Sequence, residues 1–174
     1  MPTTFTRLPT PLGELLLTAS DTALTGVEFP TSRHVPPGHE VERGIGGEDE
    51  GSGPAGAVLA RARRQLTEYF AGTRTTFDLP LDAAGSAFER RVWDALRTIP
   101  YGATLSYSEL ARRLGDPRAT RAVGAANGKN PIPIIVPCHR VVGAHGELTG
   151  FGGGLDRKRW LLEHEGALLV LGRG

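Results

Sequence analysis

The sequence holds a single cysteine, Cys138, and it stands directly before a histidine and an arginine in the run Asn130-Pro-Ile-Pro-Ile-Ile-Val-Pro-Cys138-His139-Arg140. A thiolate is a strong nucleophile and a thiol a weak one. A cysteine therefore becomes reactive where a neighbour takes its proton or a cation favours its anion. His139 is able to do the first and Arg140 the second. Prolines at 131, 133 and 137 restrict φ and lack N–H donors, so the apolar stretch Ile132 to Val136 is expected to be extended, not helical, and to deliver the thiol into the His-Arg pair. The bland alternative is a small buried hydrophobe, which is what most free cysteines are. One cysteine leaves no internal disulfide and no thiolate zinc site, and a free thiol suits a reducing compartment, so a cytoplasmic protein is expected. The five histidines (34, 39, 139, 145 and 164) show no ligand spacing. No metal and no cofactor are expected.

Around this thiol the chain is mainly helical. Ser86-x-x-Glu89 and Ser106-x-x-Glu109 have the capping-box pattern of helix starts. A first helix is expected over about 87–98, with Phe88, Val92, Leu96 and Ile99 on its buried face. After the Pro100-Tyr-Gly102 turn, a second helix is expected over about 107–114, ending at Gly115. Asp116-Pro117 then opens a third helix reaching about Asn127. Two short helices joined by so tight a turn make a helix-turn-helix. Asp156 is expected to cap a last helix carrying Trp160, Leu161 and Glu165.

The first 84 residues read differently. Leu12 to Ala19 and Ala23 to Phe29 are expected strands, joined by a hairpin turn at Ser20-Asp21-Thr22. His34 to Gly56, rich in glycine, proline and acid, is expected to be a flexible loop. Val58, Ala62, Leu66, Tyr69 and Phe70 recur at helical spacing, and Phe77 to Leu81 leads out as a short extended segment. No apolar run approaches the ~20 residues of a membrane span, and no signal-peptide pattern opens the chain. The net charge of +1 conceals an asymmetry: residues 1–84 hold 7 Lys/Arg against 11 Asp/Glu, and residues 85–174 hold 13 against 8. The basic half, densest over 112–140, has the footprint of a polyanion partner. A solvated helix face would carry the same charges.

Several motifs of the basic half together resemble the O6-alkylguanine-DNA alkyltransferases, also called methylated-DNA–protein-cysteine methyltransferases. They are Phe88-Glu-Arg-Arg-Val-Trp93, Ile99-Pro-Tyr-Gly102, Ser106-Tyr107, Arg121-Ala-Val-Gly124, Asn130-Pro131, Pro137-Cys-His-Arg-Val141, Gly152-Gly-Gly-Leu155 and Trp160-Leu-Leu-Glu-His-Glu-Gly166. The acidic half is similar to the family's variable N-terminal domain more loosely, through Pro9-Thr-Pro-Leu-Gly13 and Leu15-Leu-Leu17. The resemblance implies an α+β chain of two domains. Residues 1–84 would form a small ribonuclease H-like domain of sheet plus helix, and residues 85–174 a winged helix-turn-helix domain that binds DNA and carries the catalytic site.

The same resemblance implies direct reversal of DNA damage, with no turnover. The alkyl group of O6-alkylguanine in duplex DNA, and of O4-alkylthymine as a second candidate, would move irreversibly to Cys138 after the base is flipped out. Cys138, His139 and Glu165 would be catalytic: His139 takes the thiol proton and Glu165 orients the imidazole. Tyr107, Asn130, Val141, Phe151, Gly152 and Gly153 would hold the substrate. Phe151 and Gly152 replace the tyrosine and serine of many relatives, which bears on how tightly the pocket fits the alkyl group. Arg121, Ala122, Gly124 and Ala125 would face the DNA, with Arg121 filling the gap left by the flipped nucleotide, and Arg140 would organise the site and the DNA-facing surface. Binding through the minor groove suits a reader that ignores sequence, since that groove carries little base information. A monomer in solution is expected, with room for several copies on DNA.

Two other classes compete. A Cys-His hydrolase or thiol oxidoreductase would leave the helix-turn-helix unexplained and lacks a resolving cysteine. The other is a nonenzymatic DNA-binding module, either a regulator or an alkyltransferase-like lesion reader, and the retained Cys138 speaks against the latter.

Overall fold

The computed structural model describes residues 4–30 and 53–168, and the chain divides into two compact units, Met1–Ala84 and Gly85–Gly174. In the first unit three strands, β1 (Thr4–Thr10), β2 (Gly13–Ala19) and β3 (Leu24–Glu28), form an antiparallel sheet in the order β1-β2-β3. β1 has no counterpart among the expected strands, and Pro9 lies inside it. Proline is tolerated there since β1 is an edge strand. The register runs from Thr4 opposite Ala19 to Thr10 opposite Gly13. The turn is held by Thr10, whose hydroxyl donates to the Gly13 carbonyl (2.6 Å) and accepts from the Leu12 N–H (3.1 Å).

Helix α1 (Gly53–Phe70) packs on this sheet. Leu59, Ala62, Leu66 and Tyr69 on the helix, with Leu15, Leu17 and Leu24 on the strands, are fully buried. Each large aliphatic side chain so buried contributes about 1.5–3 kcal/mol. The expected loop 34–56 is corrected at its C-terminal end. Residues 53–56 belong to α1, where burial of Ala55 and Gly56 favours the helix, and residues 34–52 lie outside the described residues. Beyond α1, buried Gln65 donates to the Asp78 carbonyl and accepts from the Asp78 N–H, both at 2.9 Å. That brings Leu81 alongside Leu24 as an isolated parallel bridge.

The second unit begins with α2 (Ala87–Leu96), opened by a complete capping box between Ser86 and Glu89. Its buried residues are Val92, Trp93 and Leu96. Strand β4 (Leu105–Ser106) leads into α3 (Tyr107–Arg113), where Ser106 accepts the Glu109 N–H. Glu109 itself pairs with Arg112. After α3, Gly115 takes φ +83°, a conformation that costs a residue with a Cβ, and the chain reverses. Asp116 caps a 3-10 turn (Pro117–Ala119) that runs into α4 (Thr120–Gly128). The expected third helix is thus a 3-10 turn followed by an α-helix, and the helix-turn-helix is α3 and α4. Strand β5 (Val141–Val142) pairs in parallel with β4. Helix α5 (Leu155–His164) closes the unit. Its N-cap is Gly154, at φ 92° and without a side-chain cap; Asp156 lies in the first turn instead of at the cap.

Candidate active site

The segment 131–137 is not the extended run expected from its prolines. It folds into consecutive turns, with the Ile135 N–H donating to Pro133 O and the Val136 N–H donating to Ile132 O, both at 2.9 Å. Asn130 holds them together: its Nδ2 donates to Val136 O (2.8 Å) and its Oδ1 accepts from the Ile132 N–H (3.0 Å). Ile134 takes φ 74°, which costs a β-branched residue about 1–3 kcal/mol. Complete burial of Ile132 and Ile134 offsets that strain. Local φ preference favoured extension, and the burial of four apolar side chains in 132–136 with the Asn130 clamp overrode it. Cys138, His139 and Arg140 then form a single 3-10 turn, not a strand.

This turn is buried throughout. Cys138 is 5% exposed, His139 0%, Arg140 6% and Glu165 4%. Glu165, at the C-cap of α5, is the common partner. Its Oε2 lies 2.8 Å from His139 Nε2, its Oε1 accepts from Arg140 Nε at 2.8 Å, and Arg140 Nη2 donates to Oε2 at 3.1 Å. Burial would raise the carboxyl pKa, yet the hydrogen bonds from His139 and Arg140 and their charges bring it down to about 2. A carboxylate at that position requires the imidazole proton on Nε2, which leaves Nδ1 as an acceptor. His139 Nδ1 has no partner among the described residues. Burial also lowers the His139 pKa, against the pull of Glu165, so the ring is a neutral base near pH 7.

Arg140, expected to organise the site and the DNA-facing surface, is buried within the site. Besides Glu165 its guanidinium donates to Ile99 O (2.6 Å), and it lies 5.8 Å from the centre of the Tyr101 ring. A bidentate guanidinium–carboxylate pair is the arrangement that tolerates burial best. The positive charge beside Cys138 in sequence is therefore spent on Glu165. The thiol itself is pushed up to about 11 by burial, which outweighs the lowering by an Asn130 hydrogen bond and by the charge of Lys158. The resting group is a thiol, buried as the bland alternative held, with a base on the adjacent residue.

The remaining candidates fall on two sides of this turn. On α4, Arg121, Ala122 and Ala125 are exposed. Gly124 is half-buried, where a Cβ would lie 3.8 Å from the Tyr107 ring. On the other side, the Tyr107 hydroxyl donates to Thr149 O at 3.1 Å. Val141 is buried; Phe151 is half-buried, Gly152 exposed and Gly153 buried, with Gly153 O accepting from Arg157 Nη1 (2.9 Å). A Cβ on Gly152 would reach 4.0 Å from Gly128 O, so this loop lies against the end of α4.

Three functional neighbours were missed from the sequence. Trp93 Nε1 donates to Ala126 O (2.8 Å), fastening α4 to α2. Asn127 Nδ2 approaches Cys138 O (3.4 Å). Lys158 is fully buried, with Nζ donating to Val141 O (2.7 Å) and Thr149 O (2.6 Å). Lys158 stands between two arginines, and it precedes Leu161 and Leu162 by three and four residues, the spacing of one helix face, which was the signal for its burial.

The chain matches known proteins along both units. Residues 4–83 match the ribonuclease-like domain of 6-O-methylguanine DNA methyltransferase, and residues 87–167 its DNA-binding domain. A methylated-DNA–protein-cysteine methyltransferase of Mycolicibacterium paratuberculosis is 51% identical over 161 residues, spanning 92% of this chain and 91% of the relative. The one from Mycobacterium leprae is 46% identical over 158 residues, spanning 91% and 89%. Among solved structures, Mycobacterium tuberculosis OGT in complex with DNA aligns with a TM-score of 0.80 at 45% identity, covering 94% of this chain and 92% of that one. With both domains matched in order and a relative this similar along nearly its whole length, the chain belongs to the 6-O-methylguanine DNA methyltransferase family.

Proposed function

We propose that this protein is a methylated-DNA–protein-cysteine methyltransferase, which repairs O6-alkylguanine in duplex DNA by taking the alkyl group onto Cys138 once and for good. The observation that carries this reading is the buried Glu165–His139 contact at the turn bearing the only cysteine. Similarity to curated methyltransferases over nine-tenths of the chain supports it. Alkyl transfer needs a nucleophile, a base and nothing that turns over. His139 Nδ1 accepts the thiol proton, Glu165 stabilises the resulting imidazolium, and sulfur attacks the alkyl carbon in line. The S–C bond forms as the O6–C bond breaks, and guanine leaves with its electron pair to be protonated. The thioether product has no hydrolytic exit.

The target carbon lies inside stacked DNA, so the nucleotide must leave the stack. Arg121 is assigned to fill its place, with Ala122, Gly124 and Ala125 against the minor groove. The exposure of Arg121, Ala122 and Ala125 on α4 supports this. Tyr107, Asn130, Val141 and the loop at Phe151, Gly152 and Gly153 are assigned to the base pocket. The protein would act as a cytoplasmic monomer. O4-alkylthymine is the second candidate lesion.

Incubation with duplex carrying one O6-methylguanine tests the reading. Expected are about one methyl group per chain, on Cys138 by peptide mass spectrometry, and restored guanine. Turnover beyond one, or binding without transfer, would reject it, the latter in favour of a lesion reader.

A further inference from the structure

The proton relay described above makes no use of Lys158, and its setting is unusual. The side chain is fully buried on α5. Its ammonium reaches the carbonyls of Val141 and Thr149 and sits 5.9 Å from the centre of the Tyr107 ring. Among the described residues no carboxylate pairs with it. Burying a lysine without an anion is costly, and a neutral donor would satisfy two carbonyls at lower cost.

The charges around it narrow the explanation. Arg140 is cancelled by Glu165, and His139 is neutral near pH 7. On α5 itself Arg157 is bonded to Gly153 O, and Asp156 and Arg159 are exposed. Tyr107 contributes a ring and a hydroxyl already bonded to Thr149 O. The remaining ionisable group is Cys138, and it shares a turn with Lys158's acceptor: the Val141 N–H donates to Cys138 O while Val141 O accepts from Lys158. We infer that Lys158 is the counter-cation of the Cys138 thiolate, a positioning residue that favours ionised sulfur while His139 holds the proton. It is released from this duty when the sulfur becomes a neutral thioether.

Each group acts on the other in the required direction. Burial lowers the Lys158 pKa to about 8, against the pull of Cys138, and the lysine charge draws the thiol down from the level burial alone would set. Below that pH the ammonium is present. Removing it must move thiol ionisation upward and cut the thiolate fraction near neutrality.

This inference rests on the proposed use of Cys138 as the nucleophile, and the test separates the two. Iodoacetamide modification of Cys138 would be followed against pH in the wild type, K158M, K158Q and K158R. K158Q keeps a donor for the two carbonyls and removes the charge. Folding would be verified by circular dichroism, with K158Q standing in if K158M does not fold. A shift of about one pH unit upward, and a rate about tenfold lower at pH 7, is expected for K158M and K158Q. K158R should stay within about threefold of wild type, since arginine keeps the charge. Superimposable profiles, or K158R as slow as K158Q, would overturn the inference. Methyl transfer from alkylated duplex, run in parallel on the wild type, tests the repair reading by itself; its failure would leave the iodoacetamide comparison standing.

Discussion

Glu165 shows how one side chain sets the chemistry of two others. By accepting from both His139 and Arg140 it fixes the imidazole tautomer and neutralises the guanidinium. Glu165→Gln leaves an amide facing N–H donors, so transfer should fall about 100-fold near pH 7 and recover as pH rises and solution base ionises the thiol. Single-turnover transfer against pH checks this; a deficit equal at every pH would remove Glu165 from the relay. The same carboxylate governs acid stability. Its folded pKa lies below its unfolded one, so its contribution is full above about pH 4.5 and is lost as pH falls toward 2. A difference of that size corresponds to about 3 kcal/mol, and acid titration of unfolding should show it in the wild type and lack it in Glu165→Gln. His139 acts in the same sense at higher pH: its lowered folded pKa makes stability fall as pH drops through about 6.5. Cys138→Ser should bind alkylated duplex and transfer nothing, because a neutral hydroxyl is a far poorer nucleophile than a thiolate.

At the scale of elements, α4 joins an exposed face to the turn that bears the thiol. One side presents Arg121, Ala122 and Ala125 to solvent; the other holds Val123, Ala126 and Asn127 in the core. Arg121→Ala should impair repair in duplex more than dealkylation of the free modified base, since only the duplex needs an extruded state held open. Comparable losses on both substrates would place Arg121 in support of the fold. Trp93 seats the same helix through Ala126 O. Trp93→Phe removes the donor and leaves Ala126 O with the Lys129 N–H alone, a loss of about 0.5–1.5 kcal/mol measurable by denaturant unfolding. A variant as stable as the wild type would show that α4 is held by apolar packing alone.

The molecule as a whole separates charge between its halves, with residues 85–174 carrying 13 Lys/Arg against 8 Asp/Glu. If DNA is bound through phosphate contacts, each releases counterions and affinity falls linearly on a log–log plot against salt, with a slope near −0.9 per contact. Alanine in place of exposed Arg118 should reduce that slope by about one if it makes such a contact, and by nothing if it is only surface charge.

Much of this was legible in the chain because the signals are local. The capping box at Ser86, the turn at Gly115 and the proline after Asp116 delimit helices through contacts between near neighbours in sequence. The Cys138-His139-Arg140 run and its accompanying motifs named the family without any coordinates. What tertiary structure decided are the properties set by partners far apart in sequence. Arg140 reads as a cation for the thiol and for the DNA-facing surface until Glu165 and Ile99, 25 and 41 residues away, claim its guanidinium. Lys158 drew no notice in the sequence, and only folding sets it against the carbonyls of Val141 and Thr149. The prolines of 131–137 read as extension until the Asn130 side chain and a buried apolar cluster bend them. Residue types and spacings name the chemical groups available. Which of those groups stays charged, and toward what it points, depends on desolvation and on partners that only folding brings within hydrogen-bond range.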